Sequence, residues 1–259
     1  MYIAYFWHKF NLYGYKIAVL LMLFVLCVQS VEAQNSKTIN LTSYDESKIH
    51  YGFLLGGHSS KYRIDYADDF VTPQFDSLHS IVPNNLGGFK VGFVVNFHLL
   101  QYLDFRILPA AGFYQNSLTY RFTNGTLIEE LRDPTYVELP LLFKYKSVRR
   151  GNTRMYLIGG INPSMQAVST KEKEDNREKL KIKKYNVAFE FGVGLDLYQA
   201  YFKFSPEIRY SYGLMNVLDS EENSFSAGLK RITLHNITFY ITFEGGPTEF
   251  AARKRNKKR

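Results

Sequence analysis

The chain has 259 residues, with 20 Tyr and 21 Phe but only one cysteine and one tryptophan. Cys27 and Trp7 both fall in the first 33 residues, so everything after them lacks a disulfide, a thiolate nucleophile and a cysteine metal ligand. The formal charge is +8, but Arg253, Lys254, Arg255, Lys257, Lys258 and Arg259 place six positive charges in the last seven residues. The body is therefore near neutral and lacks the shared basic and aromatic face that nucleic acid requires.

The first 33 residues carry Lys9 and Lys16, an apolar run from Ile17 to Val28, and Val31-Glu32-Ala33 before Gln34, which are the three parts of a secretory leader with cleavage expected after Ala33. Cys27 lies inside the apolar run behind bulky Leu26, which argues against lipidation. Beyond the leader the dominant period is two. Val187, Phe189, Phe191, Val193, Leu195 and Leu197 point one way, while Asn186, Ala188, Glu190, Gly192, Gly194 and Asp196 point the other. The pattern predicts eight strands: 51–63, 88–99, 103–122, 136–147, 154–169, 182–198, 201–214 and 231–244.

The connections after the first, third, fifth and seventh of these are long and polar, and those after the second, fourth and sixth are short. Long external loops and short periplasmic turns are the habit of transmembrane barrels. One face carries Phe89, Val91, Phe93, Val95 and Phe97, then Val137, Leu139, Leu141, Phe143 and Tyr145, then Ile237, Phe239, Ile241 and Phe243. In water such a belt exceeds the apolar patch a soluble monomer tolerates. The opposite face collects Gly52, Gly56, Gly92, Gly112, Gly160, Gly192, Gly194 and Gly213 with charges, as suits a narrow lumen. The expectation is an all-β chain, an eight-stranded antiparallel up-and-down transmembrane β-barrel, integral to the outer membrane with both termini periplasmic. Its parts are a leader at 1–33, a periplasmic segment at 34–49, the barrel at 50–246 and a basic periplasmic tail at 247–259.

Tyr51, Tyr62, Tyr102, Tyr145, Tyr185, Tyr198, Tyr201 and Tyr212 near strand ends suit interfacial girdles. Pro109, Pro140, Pro163 and Pro206 fall within strands, where a missing donor predicts bulges or register adjustments.

Parity places Asp104, Arg106, Glu138, Lys144, Glu190, Asp196, Lys203, Glu207 and Arg209 inside the barrel, where opposite charges pair and plug a lumen of this size. Their expected role is structural. His58 beside Ser59 and Ser60 is a candidate base and nucleophile pair for acyl chemistry, but adjacent strand residues face opposite ways and no orienting carboxylate follows, so the histidine reads as a loop residue. His50, His58, His79, His98 and His235 show no ligand spacing. No catalytic residue, metal or cofactor is expected. The charge-balanced run from Lys171 to Lys179 reads as a solvated external loop able to meet lipopolysaccharide phosphates, and the tail from Arg253 to Arg259 as a solubilising end or a hook for an acidic periplasmic partner.

Within these strands, Tyr136-Val137-Glu138-Leu139-Pro140-Leu141-Leu142-Phe143-Lys144-Tyr145-Lys146-Ser147, followed by Tyr156-Leu157-Ile158-Gly159-Gly160, resembles the PorT family of Bacteroidota outer-membrane barrels. The third strand, Leu103 to Gly112, and the closing Ile237 to Glu244 are similar to it as well, and the Phe-Glu-Gly-Gly ending favours the PorT or SprT group. The resemblance implies a non-enzymatic component of type IX protein secretion, which exports cargo and in gliding relatives delivers motility adhesins. It also implies partners among other secretion proteins, beside outer-membrane lipid and lipopolysaccharide. It carries no catalytic or ligand residues onto this chain. Two alternatives stand beside it: an OmpX-like or OmpA-like surface-binding barrel unrelated to secretion, and a lipid A acyl-modifying barrel enzyme.

Overall fold

The computed structural model describes residues 39–68, 70, 78–167, 180–219, 226 and 228–245. The chain divides into Met1–Ile39 and Asn40–Arg259, and the description below is of the second unit. The leader and the basic tail lie outside the described residues.

A single 3-10 turn, Tyr44–Glu46, precedes β1 (Ile49–Tyr66), β2 (Leu78–Asn84) and β3 (Leu86–Leu100). Next come β4 (Leu103–Ile107), β5 (Ala110–Phe113), β6 (Asn116–Phe122), β7 (Leu127–Arg132), β8 (Thr135–Glu138) and β9 (Leu141–Lys146). The chain closes with β10 (Thr153–Gln166), β11 (Tyr185–Tyr198), β12 (Phe202–Gly213) and β13 (Leu229–Gly245). β1 pairs with both β13 and β3, and the ring runs on from β13 through β12, β11 and β10 to β8 and β9, then to β5 and β4, and back to β3. β4 with β5, and β8 with β9, are each one wall strand briefly interrupted, so the wall has eight strands, all antiparallel. A closed ring has no free edge, which is what a bilayer demands of a sheet. The links between β3 and β4, β9 and β10, and β11 and β12 are two, six and three residues long, and all lie at one end.

The prolines do not shift the register. The pairing of Asp104 with Lys144 on one side of the interruption and of Ala110 with Glu138 on the other belongs to one continuous register. Proline lacks a donor but keeps its carbonyl, and here the carbonyls hold the ladder. Pro109 accepts from the Phe93 amide at 2.9 Å, Pro140 from Leu108 at 3.0 Å, and Pro163 from Leu139 at 3.0 Å. β12 runs through Pro206, and its register with β11 is the same on both sides. The expected bulges at these positions are thus corrected: the lost donors leave short gaps in the ladder and no slip.

Unbroken register keeps the inside and outside faces distinct along every wall strand. Phe53, Phe89, Phe93, Phe143, Leu157, Phe191, Val193 and Phe239 face outward and are exposed, while the alternate row is buried. Where a lumen aromatic lies flat against the wall, the wall supplies glycine. A Cβ at Gly194 would stand 2.4 Å from the Tyr156 ring, and one at Gly56 would stand 2.7 Å from Tyr240. Of the tyrosines assigned to interfacial girdles, Tyr51, Tyr102, Tyr145, Tyr185, Tyr201 and Tyr212 are exposed, but Tyr62 and Tyr198 are each only 2% exposed. Their even positions put them on the lumen row, and parity outweighs nearness to a strand end.

The long-loop end departs most from expectation. The third predicted strand, 103–122, leaves the wall after Phe113, and its last part becomes β6, the middle of a separate three-stranded sheet ordered β2-β6-β7. β2 and β7 fall where loops were expected. β2 escapes notice because of Pro83, which an edge strand tolerates. Beneath this sheet Tyr62, Ile81, Tyr114, Leu118, Tyr120, Tyr136, Leu180, Val217, Leu229 and Leu234 form an apolar cluster.

Candidate functional site

Every inward-facing charge of the wall begins with strand parity: a carboxylate or ammonium on the lumen row is carried away from both lipid and water and must find its counter-charge across the barrel. Arg106 on β4 is the hub. Its guanidinium donates to Glu207 on β12 at 3.2 Å, to Glu244 on β13 and to the side-chain amide oxygen of Asn96 on β3 at 3.2 Å, tying four wall strands through one side chain. Lys203 meets Glu244 at 2.9 Å. Lys144 holds both oxygens of Asp196 at 2.7 Å, and Ser205 donates to the same carboxylate at 2.7 Å. Arg209 pairs with Glu190 at 2.8 Å and with Glu207. Lys90 pairs with Glu138 at 2.9 Å, and Tyr114 and Asn162 donate to that carboxylate too.

All nine charges expected inside the barrel are therefore buried and in contact. Among the described residues the network also draws in charges that sequence reasoning missed: Lys90, Lys146, Arg154, Glu244 and, from before the first strand, Asp45. Seven cations, Lys90, Arg106, Lys144, Lys146, Arg154, Lys203 and Arg209, then meet seven carboxylates, Asp45, Asp104, Glu138, Glu190, Asp196, Glu207 and Glu244. The signal for four of the missed ones was present, since Lys90, Lys146, Arg154 and Glu244 share the parity of Gly92, Lys144, Gly160 and Thr242. Lumen rings cover the ammonium and guanidinium faces. The Lys144 nitrogen lies 3.7 Å from the Tyr156 ring centre, and the Arg209 guanidinium 3.7 Å from that of Tyr240. Tyr156 in turn donates to Glu207 at 2.7 Å. Chemically this arrangement neutralises and fills; no carboxylate in it stands apart with an open approach for a substrate.

At the short-turn end the segment expected as a periplasmic lead-in, 34–49, folds back from Asn40 into the barrel mouth. The buried Tyr44 stacks on His50, with ring centres 3.8 Å apart and planes 6° from parallel, and its hydroxyl donates to Glu244 at 3.0 Å. Arg154 grips Asp45 with two bonds of 3.1 and 2.7 Å. Partial burial raises the Asp45 carboxyl, but the Arg154 guanidinium more than offsets that and holds it below the ordinary carboxylate range. The Asn40 amide donates to Asn152 at 2.9 Å, and Arg149 donates to the carbonyls of Asn40 and Leu41. This short segment is a strap across the mouth, held at both ends.

At the other end of the lumen the candidate acyl-transfer pair comes apart. Ser59 faces outward and bonds Asn85 at 2.9 Å, while Ser60 faces inward and bonds Asn116 at 2.9 Å and the Gln115 carbonyl at 3.0 Å. His58 is not a loop residue, as its sequence context suggested, but a buried wall residue packed on Tyr114 with ring centres 4.2 Å apart. No carboxylate orients it. Among the described residues no group of three or more His, Cys, Asp or Glu side chains is placed to hold a metal ion. The tail residues Arg253, Lys254, Arg255, Lys257, Lys258 and Arg259, and the run from Lys171 to Lys179, lie outside the described residues.

A family model described as outer membrane protein beta-barrel domain matches residues 32–219. Among solved structures, the outer membrane protein OprG from Pseudomonas aeruginosa aligns with a TM-score of 0.43 at 14% identity, over 76% of this chain and 93% of that one. Neisserial surface protein A aligns with a TM-score of 0.40 at 8% identity, over 74% of this chain and 95% of that one. The outer membrane protease OmpT from Escherichia coli aligns at 0.39 and 11% identity, over 80% and 98%. No curated protein matches the chain.

Proposed function

We propose a function from one premise: the chain belongs to the outer membrane protein beta-barrel domain family. It is an integral outer-membrane barrel, and our reading is that it acts as a non-conducting, non-enzymatic surface barrel of the OmpX-like or OmpA-like kind. On this reading the long-loop end faces outward and meets envelope or external ligands, lipopolysaccharide among them, and the lumen charges serve stability. The observation that carries it is the lumen itself: paired, buried charges leave no water column for a solute to follow. With transport set aside, the surfaces at the two ends are what the protein has to offer. Cys27 is the only cysteine and belongs to the leader, so Asn124→Cys at the tip of the β6–β7 hairpin gives the mature chain a single thiol. A membrane-impermeant maleimide is expected to label that variant on intact cells, and the purified protein is expected to add no steady conductance to a planar bilayer. Labelling only after the cells are permeabilised, or an open-channel current, overturns the reading.

A second reading has the PorT-like wording of strands 136–147 and 237–244 behind it: a component of type IX secretion that acts through partner contacts or assembly, with both termini and the basic tail on the periplasmic side. A clean deletion strain is then expected to lose secreted cargo from the culture medium while its envelope stays intact. Normal export discards that role and leaves the surface barrel.

A further inference from the structure

We infer that β7 is a docking edge that takes an extended strand of a different protein, one that sets a basic side chain over Glu130 and apolar side chains beside Leu127 and Leu131. The inference rests on the surface-barrel reading for its biological setting and deepens it by naming the partner's chemistry.

Among the described residues β7 is paired on one side only, to β6, in a sheet separate from the closed wall. The hydrogen-bonding phase of that pairing is fixed at the hairpin turn, where the Phe122 amide donates to the Thr126 carbonyl at 3.0 Å. Bonded and non-bonded pairs alternate from there, so Leu127, Glu129 and Leu131 turn their N–H and C=O groups away from β6. The edge has no proline, lysine or bulge along Leu-Ile-Glu-Glu-Leu-Arg. Its apolar side chains are open instead: Leu127 is 65% exposed, Ile128 41% and Leu131 54%. They lie beyond Phe113, where the third wall strand ends, so the lipid belt that covers the wall residues does not account for them.

Charge selects the occupant. Two copies of β7 joined antiparallel through these outward groups must set odd positions opposite odd ones, and the centred register puts Glu129 opposite Glu129 of the second copy, like charges face to face, which disfavours self-pairing. Glu129 is already satisfied, accepting from Ser117 at 2.8 Å and Asn84 at 3.3 Å. Glu130 is not, and its Oε1 is buried with no partner among the described residues. Glu130 lies on the face it shares with Leu118, and Leu127 and Leu131 lie on the other. A strand added to this edge therefore wants one basic residue on the inner face and small apolar residues on the outer face, with backbone bonds supplying the common attraction.

The test uses the folded, full mature chain in detergent micelles and a fluorescent peptide, Val-Thr-Val-Lys-Val-Thr-Val. Binding is expected and should fall at least fivefold when the central lysine is replaced by glutamate, and be lost when the peptide's backbone nitrogens are methylated. Glu130→Gln should weaken binding about two- to fivefold. Leu131→Pro removes an outward donor without touching a bond to β6, and should abolish binding. The methylated peptide leaves the protein unaltered, so the conclusion does not hang on that variant folding. Equal binding of the lysine and glutamate peptides, indifference to methylation, absence of binding by any peptide, or a self-associated species broken by Leu131→Pro each overturn the inference. Because purified protein is used, such a failure is separate from the cell-labelling and conductance results that test the surface reading.

Discussion

Arg106→Ala is expected to lower the unfolding free energy of the barrel by about 3–5 kcal/mol, the range found when one partner of a buried ion pair is removed. The size follows from what is left behind. Arg106 is fully buried and serves Glu207, Glu244 and Asn96 from three other wall strands, so its loss strands two carboxylates in a space with no solvent to replace it. Lys203 still reaches Glu244 and Arg209 still reaches Glu207, which keeps the cost finite. Urea titration in micelles, followed by circular dichroism or by heat-modifiable gel migration, measures it; tryptophan fluorescence does not serve, because the single tryptophan, Trp7, precedes the first wall strand in the sequence. The paired change Arg106→Ala with Glu244→Ala is expected to cost less than the sum of the two single changes. A loss under about 1 kcal/mol for Arg106→Ala would mean that water solvates the network, and the non-conducting reading would fall with it.

Tyr44→Ala is expected to remove about 3 kcal/mol, near the low end for truncating a buried aromatic. Tyr44 is 2% exposed, stacks on His50, lies 5.7 Å from the Tyr198 ring centre in an edge-on contact, and takes the Lys203 ammonium over its face at 4.6 Å. Without the ring, the strap from Asn40 to Ser47 keeps its outer ties to Arg149, Asn152 and Arg154 but loses its anchor in the lumen. Tryptic cleavage after Lys48 should then become fast in the folded protein, while the wall stays intact. Tyr44→Phe, which loses only the bond to Glu244, is expected to cost about 1 kcal/mol and leave Lys48 protected. Equal protease resistance in all three forms would show that the strap is held by its outer ties alone.

The eight wall strands are legible in the sequence because lipid on one side and a narrow lumen on the other force a strict alternation on each of them. Fourteen residues from Tyr185 to Tyr198 show it without a break. Where that two-sided constraint ends, legibility ends too. β2 and β7 lie in a sheet outside the closed wall, where Leu-Ile-Glu-Glu-Leu-Arg has no lumen row to alternate with and reads as a polar connection. The prolines misled in the opposite direction: a missing donor is visible in sequence, but a carbonyl that still accepts from the next strand is not. The lumen charges follow from parity, whereas their pairings do not. Asp45 and Arg154 are separated by 109 positions and meet only because the strap crosses the mouth. The family match speaks for the barrel domain as a class, and the narrower likeness to PorT rests on strand wording alone.

The alternation that seals the lumen also acts before there is a lumen. To reach the outer membrane the chain must first cross the inner one as an extended thread, and a stretch of about 20 apolar residues would halt there and be released sideways into lipid. The wall strands avoid that fate. Glu190 and Asp196 interrupt β11, Lys203, Glu207 and Arg209 interrupt β12, and no strand offers an uncharged run of such length. At the centre of an inserting segment each of these residues costs about 2.5–3.5 kcal/mol, more than several leucines recover. The residues that end as the most deeply buried in the finished protein are thus the ones that let it pass through a membrane without staying in it.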